Sequence, residues 1–156
     1  VINVNPVNAT VDQLRALPRP AGVDGLDAPR VPAERQIYRV RAKLLRFELA
    51  NDGDIHLAIA QPNAAAHTMI AEIPDPARMP DTPAHYRTAV SQARSTFIRL
   101  FGTPSITQWR PVNRQIELIG PLLFDFVDGQ VGGLAAGVAT GVEIHPVLAI
   151  RECAPC

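Results

Sequence analysis

The chain has 156 residues, 47% of them hydrophobic and 19% charged, which suits one domain large enough to bury a core. Its 15 basic and 15 acidic residues cancel and its pI is about 7.1, so nothing in the overall charge favours nucleic acid, whose backbone calls for a basic surface. No apolar run approaches the roughly 20 residues of a membrane-spanning helix. Every basic residue except Lys43 is an arginine, a bias that fits a GC-rich genome and leaves room for a local basic patch.

Residues 1–34 are rich in proline and polar side chains. The first stretch, Val1 to Thr10, lacks an initiating Met and reads as the start of a mature exported protein. Thr10 is placed to cap a short helix over Val11 to Leu17, which Pro18 stops. Pro18, Pro20, Gly22, Gly25, Pro29 and Pro32 then mark an extended arm that wraps the domain without forming one of its own.

Regular patterning starts at Gln36. Ile37, Val40, Ala42, Leu44, Leu45, Phe47 and Leu49 predict one long strand, of the bent kind that lets a small barrel close. Asn51-Asp52-Gly53 predicts a hairpin turn. A second strand follows over Asp54 to Ala60, with Ile55, Leu57 and Ile59 on one face, and a third over Thr68 to Ile73. Asp81-Thr82-Pro83 predicts a helix start with Pro83 in the first turn. Tyr86, Val90, Ala93, Phe97, Ile98 and Phe101 form its packing stripe, Arg87, Arg94 and Arg99 point elsewhere, and Gly102 ends it. A fourth strand runs from Arg114 to Phe126, with a bulge or bend at Gly120-Pro121. A glycine-rich loop over 128–141 precedes a last strand from Val142 to Arg151.

Three strands, a helix and two more strands describe a mainly β protein. The order fits a five-stranded OB-fold-like Greek-key barrel with one helix between strands three and four. A split βαβ fold needs its helix after the first strand. The organisation is then an N-terminal arm (1–34), the barrel (35–152) and a cysteine-containing tail (153–156). Cys153 and Cys156 share the spacing of a redox motif, but no helix follows to lower a thiol pKa. A local disulfide in an oxidising compartment, or a disordered tail, explains them.

Alternation sends several polar side chains to the face opposite the core. Asp54 and His56 lie on the second strand, Glu72 near the end of the third, and Glu143 and His145 on the last. Barrel closure brings these five together as a candidate ligand-binding face, rimmed by the 51–54 turn and the 128–141 loop. Two readings of that face stand: an oxygen and imidazole cluster for a metal or polar ligand, or solvated cross-strand pairs such as Glu72 with a neighbouring histidine. No Gly-x-Ser-x-Gly turn, phosphate-cradling loop or His-Glu-x-x-His pattern is present. Few aromatics fall on the strands, which argues against base stacking.

Asp52-Gly53-Asp54 resembles the metal-binding D-G-D of staphylococcal-nuclease-like domains, and Glu72-Ile73-Pro74-Asp75 resembles their later D-x-P-E. That resemblance implies a barrel with Asp52, Asp54 and Glu72 as divalent-metal ligands. It also places the family's catalytic arginines on His67 and near Gly120, so it implies the fold without the phosphodiesterase. The segments 51–57, 68–74 and 141–148 are similar to those of a group of small bacterial, often exported, proteins, a likeness that supplies no reaction. The leading functional expectation is a non-enzymatic, exported binding or interaction module for a protein or a polar small molecule. The alternatives are a metal-dependent hydrolase with His56 or His145 as base, and a structural subunit whose proline-rich arm reaches a neighbour.

Overall fold

A computed structural model describes residues 3–23, 29–125 and 140–153. In chain order the elements are β1 (Asn3–Thr10), α1 (Val11–Arg15), a 3-10 turn (Pro32–Arg35), β2 (Gln36–Leu49), β3 (Ile55–Gln61), β4 (Ala64–Ile73), a second 3-10 turn (Pro76–Arg78), α2 (Ala84–Phe101), β5 (Arg110–Phe124), β6 (Val142–Ile144) and β7 (Ala149–Glu152).

The protein is mainly β, and all seven strands belong to one sheet. Five of them close a ring in the order β2-β3-β4-β6-β5, with β5 pairing back onto β2. Within the ring only β4 and β6 run parallel. β2 makes closure possible because its 14 residues serve both halves of the ring. It pairs with β5 along most of its length and with β3 through Lys43 to Leu49, and its register shifts between Leu44 and Arg46 on both sides. That irregularity bends the strand. Of the bulge or bend expected at Gly120-Pro121, the bulge is absent, since the β2–β5 pairing runs unbroken through both residues.

Two strands stand outside the ring. β1 lies parallel to the first half of β2, and β7 lies antiparallel to β5. The N-terminal stretch was expected as an arm, because it is rich in prolines and polar residues. It pairs as an outer strand, a position that tolerates Pro6, and its register shifts between Asn3 and Val7. α1 begins as the sequence predicts: the Thr10 side chain accepts from the Gln13 amide at 3.1 Å, and the Gln13 side chain accepts from the Thr10 amide at 2.9 Å. It ends at Arg15, short of Leu17, after burying Val11 and Leu14.

Inward alternation builds the core. Val40, Ala42, Leu44 and Phe47 of β2 meet Ile55, Leu57 and Ile59 of β3, Met69, Ala71 and Ile73 of β4, and Ile116 and Leu118 of β5, all fully buried. α2 packs Val90, Ala93, Phe97 and Phe101 against this interior. The Phe97 ring meets Phe47 edge-on, with centroids 4.8 Å apart and planes at 87°. Pro83 is the N-cap of α2 rather than its first helical residue. Gly102 ends the helix at φ 89°, with its amide on the Ile98 carbonyl at 2.8 Å.

The expected last strand is broken into β6 and β7. Pro146 offers no amide hydrogen, so the ladder stops there. The linking segment is held instead by His145 N on Pro121 O (3.1 Å), Val147 N on Glu72 O (2.8 Å) and Leu148 N on Ile119 O (2.7 Å). Gly120 permits this close approach, because a Cβ there would lie 2.4 Å from the Pro146 carbonyl oxygen. Cys153 is disulfide-bonded, and Cys156 falls outside the described residues. Most of the 128–141 loop does too; Thr140 and Gly141 are described.

Candidate functional site

The five singled-out polar residues come from three neighbouring strands and two strand ends. Ile55 and Leu57 point into the barrel, so His56 between them points out. His56 stands directly opposite Glu72 on β4. Glu143 of the parallel β6 registers with Ile70 of the same strand, and His145 follows β6 immediately. Asp54 is set by the turn before β3. Ala50 N donates to Asp54 O at 2.8 Å and Gly53 N to Ala50 O at 3.0 Å, and Gly53 takes φ 92°, where a side chain would be strained. The Asp75 amide donates to Asp54 Oδ1 at 2.8 Å, fixing the carboxylate. Arg94 of α2, expected to point elsewhere, locks the assembly by donating to the carbonyls of Gly53 (2.8 Å), Ile73 (3.1 Å) and Pro74 (3.3 Å).

Glu72 is the hub. Its Oε1 lies 3.1 Å from His56 Nε2 and its Oε2 lies 3.4 Å from His145 Nδ1. His145 Nδ1 also lies 3.0 Å from Glu143 Oε1. One potential ligand atom each from Asp54, Glu72 and His145 falls within 4.8 Å of the other two. The second oxygen of Glu143, Oε2, is buried and has no hydrogen-bond partner. The expectation of a solvated outer face is half right. The two histidines keep some exposure, but Glu143 and Glu72 are only 1% and 6% exposed.

Burying carboxylates beside one another disfavours their charge. Burial, and then the neighbouring Glu143, push the Glu72 carboxyl up to about 8. Burial, and then the Asp125 and Asp54 charges, push Glu143 well above the usual carboxylate range. Burial also raises Asp54, against the lowering effect of the Asp75 amide, and depresses His56. The site therefore favours the protonated, uncharged form of its buried acids. A bound cation would displace those protons, and mixed carboxylate and imidazole donors suit a divalent transition metal.

No family model, curated protein or solved structure matches this chain.

Asp54, His56, Glu72, Glu143 and His145 are thus brought together. Asp52 has a different place: it is exposed, and its Oδ1 accepts the Asp54 amide at 3.1 Å. It shapes the turn, and it is not one of the three residues whose ligand atoms converge. Sequence reasoning missed Asp125 and Arg30, whose charges act on Glu143 in opposite senses. Asp125 sits at the end of β5 with its amide on Gly141 O at 2.9 Å, and Arg30 donates to Leu122 O at 2.8 Å. Nothing in the spacing of either residue connects it to β6. Arg94 had a signal only in being a long basic side chain near the buried face of an amphipathic helix.

Proposed function

We propose that the chain is a non-enzymatic, exported OB-type binding module whose site holds a divalent transition-metal ion through Asp54, Glu72 and His145. The parallel β4–β6 pair, the closed ring and the helix between β4 and β5 support the OB reading. The observation that carries the metal reading is the convergence of three donor atoms within 4.8 Å, next to the buried and unpartnered Glu143 Oε2. His56 and Glu143 hold Glu72 and His145 in place from behind, as the outer partners of metal ligands do. The disulfide at Cys153 supports an oxidising compartment.

The test is thermal melting with Zn²⁺ or Mn²⁺ after chelator treatment. A cation at a hundred times its Kd adds about 2.7 kcal/mol to the native state, or about 5–11 °C for a chain of this size. The variant Glu72→Gln should lose that gain. Equal melting of the wild-type protein with and without millimolar metal would leave only a structural network of acid–histidine pairs.

One observation favours a second reading, a metal-dependent hydrolase with His56 as base. Burial lowers the His56 pKa, which keeps the ring neutral at pH 7, and the ring reaches solvent. Metal-dependent turnover of a model ester or phosphodiester that disappears in His56→Ala would select this reading over the binding module.

A further inference from the structure

A second polar constellation lies on the outer face of β2, β5 and β7. Arg41 of β2 registers with Glu117 of β5, which in turn registers with Arg151 of β7. On the other side of β2, Thr10 of β1 registers with the same Arg41. These four residues form one row across four strands, and Arg39 lies two residues along β2 on the same face. The neighbours in sequence, Val40, Ala42, Leu118 and Ile150, point into the core.

The row forms a wall of an open-sided cavity of about 670 Å³, which is also lined by Gln13 of α1 and by Gln61 and Pro62 at the β3–β4 turn. Glu117 is only 6% exposed, while the side chains of Arg39, Arg41 and Arg151 are 42%, 60% and 66% exposed. The single carboxylate lies at the base and three guanidinium groups stand over it. Arg151 takes the close contact, donating from Nε to Glu117 Oε1 at 3.0 Å. Arg41 Nε and Arg39 Nε stay at 3.5 Å and 3.8 Å. Arg39 Nε is buried with no hydrogen bond, and so is Gln61 Oε1. Among the described residues, one acid against three bases leaves two positive charges in excess, together with an unmatched donor and an unmatched acceptor.

We propose that this cavity binds a small organic phosphomonoester, with its dianionic phosphoryl group on Arg39, Arg41 and Arg151 and its polar body toward Thr10, Gln13 and Gln61. Two negative charges match the excess, and planar guanidinium groups pair with phosphoryl oxygens in two-point contacts. The volume lies in the range of small-molecule sites and exceeds what a bare phosphate fills, so the ligand carries an organic part. Neutral hydrogen-bonding side chains around the arginines suit hydroxyl groups on that part.

The test uses the intact chain with ribose 5-phosphate as probe, and ribose and inorganic phosphate as controls. Binding is read by calorimetry and by amide NMR shifts at Thr10, Arg41 and Arg151. Ribose 5-phosphate should bind, ribose should not, and inorganic phosphate should bind at least tenfold more weakly. Arg39→Gln should weaken binding tenfold or more, since its Nε contributes no hydrogen bond to the fold. Glu117→Gln should tighten binding by removing the competing anion, an outcome that a merely structural role for this row does not produce. Unchanged amide shifts at 10 mM ribose 5-phosphate would overturn the proposal. So would phosphate binding as tightly as the ester, which reassigns the cavity to the free ion, or a single-stranded oligonucleotide binding where ribose 5-phosphate does not.

Discussion

Raising the pH from 6.5 to 8.5 in metal-free buffer should destabilise this protein, against the usual behaviour of a chain rich in paired carboxylates. The Glu72 carboxyl goes from an ordinary 4.5 to about 8 on folding. Between those values the folded state holds a proton that the unfolded state has released, so stability falls as pH rises, and the loss is complete above the folded pKa. From pH 6.5 to 8.5 that single group removes about 2 kcal/mol, or about 4–8 °C of Tm for a chain of this size. Glu143, also raised, acts in the same direction. His56 does not interfere in this window, because its depressed pKa costs stability only as pH falls below its unfolded value. The assay is differential scanning calorimetry of wild-type and Glu72→Gln protein across the pH series. The variant should show a slope flatter by the Glu72 contribution. Saturating Zn²⁺ should flatten or reverse the wild-type slope, because metal ligands bind as their deprotonated forms. A wild-type Tm that stays level or climbs from pH 6.5 to 8.5, in parallel with the variant, would refute the account of Glu72 as a buried, proton-holding acid.

Four other outcomes follow from the packing and the charge layout. Phe97→Ala removes the ring that meets Phe47 in the core and should cost about 3–5 kcal/mol in urea unfolding. Gly120→Ala drives a Cβ onto the Pro146 carbonyl oxygen; it should cost about 1–3 kcal/mol and shift the His145 ring signals by NMR. Arg94→Gln removes donors to three carbonyls behind the Asp54 turn and should weaken metal affinity more than it lowers the metal-free Tm. Glu117 has a pKa lowered by its hydrogen bond from Arg151, so its contribution should be intact above its unfolded value near 4.5 and fade as pH falls through the folded one. Glu117→Gln should therefore unfold with a weaker pH dependence on the acid side.

The parts of this fold that were legible in the sequence carry a period. β3 and α2 announce themselves because Ile55, Leu57 and Ile59, and Val90, Ala93, Phe97 and Phe101, recur at the spacing their element needs. β1 does not, because Pro6 interrupts its alternation after Asn3-Val4-Asn5 and leaves only Val7-Asn8-Ala9-Thr10 beyond it. The break between β6 and β7 had a visible cause in Pro146, yet the apolar alternation of Val142, Ile144, Leu148 and Ile150 suggested continuity. For the site, alternation shows which side of a strand a residue occupies but says nothing of what covers that side. His56, Glu72 and Glu143 were therefore placed on the right face, while the burial of both glutamates was invisible. Arg39, Arg41, Glu117 and Arg151 were invisible as a group, because their meeting depends on the registers of β2, β5 and β7, which no single strand encodes.

A net charge of zero conceals how this charge is arranged. Acids gather where β3, β4 and β6 meet, and arginines gather on β2, β5 and β7 around one acid. If the charges served only to solvate the surface, mixing the two signs locally would cost least, since each would find a partner in water or beside it. Separation leaves Glu143 Oε2 and Arg39 Nε both buried and both without a hydrogen bond, at sites of opposite sign. Neither can reach the other's surplus, because each is anchored to its own strands. Protons on the buried acids relieve the first surplus when nothing is bound; under the two proposals a cation would take their place at one face and an anion would answer the guanidinium excess at the other.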